Sequence, residues 1–253
     1  MTQLERDLHR RYELESELLY LQQRKQQLDE TLPQGKYALR QAEVALAEYE
    51  AFGLKSFFHK LSGKWEDHHE ALLRQLSAAK TELSRLKQEQ ADVDRRMEAV
   101  LEEKKPLDGL GDSLAAAQAL DADARERITL LEAKLCTKKL IPALEGARSA
   151  LEIAQEWARP QSRVDVAPGY TKNLYFSLAD DCARTCYAQL ERIASCGILL
   201  DIHPYFTNPT GYIVGVAAQY AQLDRINSAL SAIRETQKQA RELLVQLPEE
   251  EEL

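Results

Sequence analysis

Apolar residues recur along this chain at steps of three and four for most of its length, and the recurrence is tightest between Trp65 and Val100. There Trp65, His69, Leu72, Leu76, Ala79, Leu83, Leu86, Gln90, Val93, Met97 and Val100 alternate strictly between steps of four and three. A 3.5-residue repeat held over about five heptads keeps one seam on a partner only if the helices supercoil left-handedly. The pattern therefore predicts a coiled-coil helix over 66–104, and not merely an amphipathic surface helix. At 1.5 Å per residue such a helix is roughly 58 Å long.

Weaker versions of the pattern lie on both sides. Leu14, Leu18, Leu21, Leu28 and Leu32 predict a helix over 2–31, with Lys25 interrupting its seam. After LPQGK, the residues Leu39, Ala42, Leu46 and Tyr49 predict helix over 36–51, either separate or continuing the first past a kink at Pro33. KKPLDGLGD ends the third helix. From Asp121 the stripe of Ala124, Ile128, Leu131 and Leu135 predicts another, and Pro142 predicts a kink or short break before the stripe resumes with Leu144, Ala147, Leu151, Ala154 and Ala158.

A helix over 172–196 follows, with Leu174, Leu178, Cys182, Cys186, Leu190 and Ile193 on one face. The short aliphatic runs GILLDIH and GYIVGVA, separated by the turn formers of PYFTNPT, then predict a small β-hairpin near 198–216. The last helix, 217–247, keeps a heptad through Leu223, Ile226, Leu230, Ile233, Gln237, Ala240, Leu244 and Leu247. Gln90 and Gln237 are each a polar residue within a seam, and such residues set register at a cost in stability; their pairing, Gln against Gln, is one expectation.

The resulting fold class is all-α: an elongated antiparallel coiled-coil or helical-hairpin bundle with a small β-hairpin in its C-terminal half. Residues 1–105 form an N-terminal hairpin with an aromatic and basic bend at 51–65. Residues 112–253 form a helical module ending in a long helix. No repeat of fixed period suggests a solenoid.

Composition agrees with long helices, since Ala, Leu, Glu, Gln, Lys and Arg dominate while only 10 Gly and 8 Pro occur in 253 residues. A net charge of −8 argues against sequence-independent nucleic-acid binding, which needs a basic field. The charged start MTQLERDLHRR has no apolar signal core, and four cysteines make no disulfide framework, so a soluble cytoplasmic chain is expected.

Candidate chemistry is sparse. Cys182 and Cys186 at i, i+4, with Cys196 and His203 after them, could supply a Cys3His metal set, but the spacing is not that of a knuckle and both helical cysteines lie on an apolar stripe. In EDHHE, 66–70, the adjacent His68 and His69 diverge on a helix, and Glu66 with Asp67 suits a helix N-terminus instead. LSGK lacks the first glycine and the hydroxyl of a phosphate-binding loop. Asp180 and Asp181 also diverge. No catalytic residue and no cofactor are expected.

The stretch AFGLKSFFHKLSGKW, 51–65, is the best interaction candidate. Phe57, Phe58 and Trp65 supply apolar bulk, and Lys55, Lys60 and Lys64 supply charge. It suits a plug closing the bend, a docking site for another protein, or a contact with anionic lipid. The functional expectation is a non-enzymatic scaffold or adaptor that binds protein partners or itself through helical faces. A peripheral membrane protein is the first alternative, and a metal-binding protein or enzyme using the C-terminal Cys/His cluster is the second.

Overall fold

The computed structural model describes residues 1–51, 65–158, 168–200 and 219–248, and six α-helices occur among them with no strand. The helices are α1 (Gln3–Glu50), α2 (Trp65–Lys104), α3 (Ser113–Ala117), α4 (Ala122–Ala158), α5 (Pro168–Ser195) and α6 (Gln219–Gln246), with a 3-10 turn over Lys105–Leu110. The all-α class agrees with the periodicity. The hairpin expected near 198–216 lies, from 201 onward, outside the described residues, and 198–200 have no regular structure.

Local chemistry explains where the helices begin and end. Thr2 Oγ1 accepts from the Glu5 amide at 3.1 Å while Glu5 Oε2 accepts from the Thr2 amide at 3.2 Å, a reciprocal capping box. Asp112 Oδ1 caps α3 through the Ala115 amide at 3.0 Å, and Asp121 Oδ1 caps α4 through the Ala124 amide at 2.8 Å. At the end of α5, Gly197 takes φ +81, its amide reaches Ala194 O at 2.9 Å, and the Ile198 amide reaches Ile193 O at 3.4 Å. That is a Schellman motif, in which glycine supplies the left-handed residue that stops the helix.

Neither internal proline breaks its helix, which corrects the expected break at Pro142 and decides for continuation at Pro33. A proline removes one backbone hydrogen bond, but the apolar stripe keeps its phase across both sites, so side-chain burial on each side holds the helix together. Around Pro142 the buried pair is Leu140 and Leu144. Two residues after Pro33, Gly35 serves packing: a Cβ there would stand 3.2 Å from Leu86 Cδ1 and 3.6 Å from Leu83 Cδ1.

The chain divides into two compact units, Leu14–Pro106 and Met1–Glu13 with Leu107–Leu253. The first is an antiparallel helical hairpin. Partners fall along α2 as they rise along α1: Glu17 with Arg96, Arg24 with Glu89, Gly35 with Leu83 and Leu86, and Glu50 with His69.

The second unit is built on α4, against which α3, α5 and α6 pack. The α4–α5 contact is made by small residues, Ala147, Ala150 and Ala154 facing Ala179, Ala183 and Cys186 in one buried cluster. At Gly146 the approach is tight, for a Cβ there would stand 3.0 Å from Cys182 Sγ. Across α4 and α6, Arg241 meets Glu145, Arg234 meets Glu152, and Gln155 Nε2 donates to Asn227 Oδ1 at 2.6 Å, an antiparallel register. A further cluster packs Leu8 and Tyr12 from the start of α1 against Leu120, Ile128, Leu131 and Leu135.

Candidate functional site

Of the expected interaction residues, Lys55, Phe57, Phe58, Lys60 and Lys64 lie outside the described residues, as does His203. Trp65 opens α2 and belongs to the hairpin's own seam. Its ring stacks on His69, centroids 4.7 Å apart, and faces Tyr49 at 6.0 Å. Tyr49 OH donates to Trp65 O at 3.3 Å, and the His69 ring Nε2 lies 2.8 Å from Glu50 Oε1. These contacts clasp the end of α1 to the beginning of α2. Glu66 and Asp67 stand in the first turn of α2, where their charge offsets the helix dipole.

All eleven residues of the seam read from Trp65 to Val100 are buried or half-buried, yet the hairpin is not uniform along its length. In the inner half, residues 14–34 with 83–104, Leu21, Leu28, Leu32, Leu83, Leu86, Val93 and Val100 are buried. Charged neighbours close over them: Arg24 Nε to Glu89 Oε1 at 2.6 Å, Lys25 Nζ to Asp94 Oδ1 at 2.6 Å and Arg96 Nε to Glu17 Oε1 at 2.5 Å. Exposed pairs of this kind are worth about 0–1 kcal/mol each, so they select register more than they add stability. A buried leucine contributes more, about 1.5–3 kcal/mol.

The outer half, residues 35–50 with 65–80, is different. Leu39, Leu46, Leu72 and Leu76 are only half-buried, and Val44 and Leu73 are 47% and 43% exposed. Lys36, Arg40, Glu43, Glu48, Glu66, Asp67 and Lys80 form no ion pair among the described residues. Here apolar surface and charges are left over among the described residues.

The two seam glutamines, expected to pair Gln against Gln, lie in different units, and each has a partner within its own. Gln90 Nε2 donates to Asp29 Oδ1 at 3.0 Å inside the hairpin. Gln237, only 4% exposed in the other unit, accepts from Arg148 Nη1 at 3.5 Å across α4 and α6. Each polar seam residue found a charged side chain on the helix packed against its own.

Of the candidate metal ligands, Cys182, Cys186 and Cys196 are among the described residues. Cys182 lies against Gly146, Cys186 is in the α4–α5 core, and no group of three or more His, Cys, Asp or Glu side chains suited to a metal occurs among the described residues. Burial pushes the Cys186 thiol up to about 12 and Cys196 up to about 11, so both are protonated at neutral pH. A protonated thiol is a poor nucleophile and a poor ligand.

Sequence reasoning missed a highly connected polar group, the Glu132 carboxylate. Glu132, 7% exposed, sits inside the uninterrupted buried run 131–137 of α4. Its Oε2 accepts from Tyr12 OH and from Ser113 Oγ at 2.9 Å, and its Oε1 accepts from Arg192 Nε at 2.6 Å. Arg192 Nη1 continues to Asp112 Oδ2 at 2.6 Å, so α1, α3, α4 and α5 meet at one carboxylate. Burial alone works to raise the Glu132 carboxyl, but hydrogen bonds from Tyr12, Arg192 and Ser113 together outweigh it and hold the group below the ordinary value of 4.5. Beside it, burial pushes the Cys136 thiol up to about 12. With both oxygens occupied, Glu132 is placed to tie helices together and not to move protons. The one sequence signal was a lone acid in a stripe that is otherwise apolar.

No helix among the described residues is long and apolar enough to cross a membrane. Comparison with protein-family models, with curated proteins and with solved structures finds no match for the chain.

Proposed function

We propose that this protein is a non-enzymatic scaffold or adaptor that acts through the helical surfaces of its hairpin, self-association included. The observation that carries this reading is the contrast within the hairpin. Its inner half buries Leu83, Leu86, Val93 and Val100 of its seam under inter-helix ion pairs, with Tyr20 and Leu101 exposed outside the seam, while the seam leucines of its outer half are only half-buried, Val44 and Leu73 are exposed, and Lys36, Arg40 and Lys80 have no partner among the described residues. Surface of that kind is what a helix-binding partner covers.

The reading is tested by installing a photo-crosslinking amino acid at Tyr37 or Leu73 in the outer half, and at Ala91 in the inner half, of the full chain inside expressing cells. Discrete adducts from the two outer positions and none from Ala91 are expected. Equal labelling from all three positions, or no adduct from any, would overturn it.

A further inference from the structure

The outer half of the hairpin carries its charges in an order that matches itself reversed. On α1, Lys36, Arg40, Glu43, Ala47 and Glu50 follow one another at helical spacing along one side, roughly a quarter-turn round from the seam of Leu39, Ala42, Leu46 and Tyr49, and Val44 lies about a further quarter-turn round. On α2, Glu66, Glu70, Leu73, Ser77 and Lys80 do the same beside the seam of Trp65, His69, Leu72, Leu76 and Ala79. All eleven are exposed. Both sets are turned from their seams in the same rotational sense. Because the two helices are right-handed and antiparallel, equal turns bring both sets to one side of the hairpin.

Along that side both helices read basic, apolar, acidic on the way to their joined end. The order is Lys36 and Arg40, Ala47, then Glu50 on α1, with Val44 at the stripe's outer edge; it is Lys80, Leu73, then Glu70 and Glu66 on α2. The observed register aligns the two orders, since Gly35 lies level with Leu83 and Leu86, and Glu50 with His69. Glu43 stands out of this order, near the centre and three residues on from Arg40. Glu70 already holds Arg74 at 2.6 Å and Glu50 holds His69, but the two acids are 63% and 52% exposed and have oxygens to spare.

We propose that a second copy of this chain docks on this side, end for end, so that Lys36, Arg40 and Lys80 of each copy lie over Glu50, Glu66 and Glu70 of the other. Ala47 and Leu73 then lie nearest the two-fold axis, with Val44 at the edge of the contact. A two-fold contact requires a self-complementary patch, and a basic-apolar-acidic stripe becomes one when reversed. A purely basic or purely acidic partner would satisfy only one end of the stripe; this chain carries both ends in the required order. The apolar centre contributes attraction and the charges set direction and register. The inference rests on the scaffold reading and narrows it to one occupant.

Charge-swap variants of the full chain test it by sedimentation equilibrium across the micromolar range, with helicity checked by circular dichroism. Lys36→Glu with Arg40→Glu makes the stripe acidic; Glu66→Lys with Glu70→Lys makes it basic. Wild type is expected to form a dimer that salt weakens. Each variant alone should dissociate on the order of a hundredfold more readily, and mixing the two should restore association. A wild type that stays monomeric throughout removes the homotypic occupant, while crosslinked adducts to other chains would still support the scaffold reading. Variants that associate as the wild type does move the contact off this side and leave self-association standing.

Discussion

The helical bundle around α4 and the outer half of the hairpin are made from the same residue types, yet they use them differently. In the bundle, α4 is buried over the whole run 131–137, and its alanines and Gly146 let α5 approach until a single added carbon would crowd Cys182. In the outer hairpin, one seam faces one partner helix, and leucines at seam positions stay half-buried. A helix surrounded by three others spends its apolar surface internally, whereas two helices alone cannot cover both sides of a seam. The bundle is therefore where stability resides, and the outer hairpin is where surface remains for a partner.

The largest expected effect comes from truncating a leucine in each region. Leu144→Ala in the bundle should cost about 3 kcal/mol in chemical denaturation, from lost transfer energy and a cavity that α5 and α6 cannot close. Leu76→Ala in the outer hairpin should cost under about 1.5 kcal/mol, since that side chain is already half in water. Equal losses would erase the distinction between the two regions.

Next in size is Glu132→Gln, which keeps the shape of the node and removes its charge. At neutral pH the expected loss is about 2 kcal/mol, the scale of charge-assisted hydrogen bonds. The sign with pH follows from the lowered carboxyl. A folded-state value below 4.5 adds stability at pH above that value, and the contribution is lost as pH falls through the folded one. The gap between wild type and Glu132→Gln should therefore close as solutions are acidified below pH 4.5. A gap that persists undiminished into strong acid would mean that shape, not charge, makes the node.

The smallest effect tests the close approach of α4 and α5. Gly146→Ala places a carbon 3.0 Å from Cys182 Sγ and should destabilise by about 1 kcal/mol despite alanine's better helix propensity. Cys182→Ala in the same chain should recover most of that loss, a coupling that a double-mutant cycle measures directly. Independent, additive effects would show that the two helices adjust their separation freely.

Much of the fold was legible from periodicity. The seam from Trp65 to Val100 is a local property, set by the 3.6-residue turn, and every residue in it avoids full exposure. Helix ends were legible to within a few residues, for they depend on Asp121, Gly197 and similar residues acting on backbone a turn away. The prolines misled because the rule against them is also local, and packing on both flanks overrode it. What lies opposite Gln90 and Gln237 within their own units, Asp29 and Arg148, is set by long-range contacts that the seam pattern does not contain.

By itself, the sequence determined that most of the chain is helical, which face of the helices is apolar, and helix ends such as those set by Asp121 and Gly197, because these depend on residues within one or two turns. Tertiary structure alone decided that Tyr12, Ser113, Glu132 and Arg192 converge, since their separations in sequence carry no period. It also decided how the charges of α1 and α2 line up. Lys36 and Arg40 come level with Lys80, and Glu50 with Glu70, only when the register of the hairpin is known; register is set by contacts such as Gly35 with Leu83 and Leu86 that no window along the chain contains.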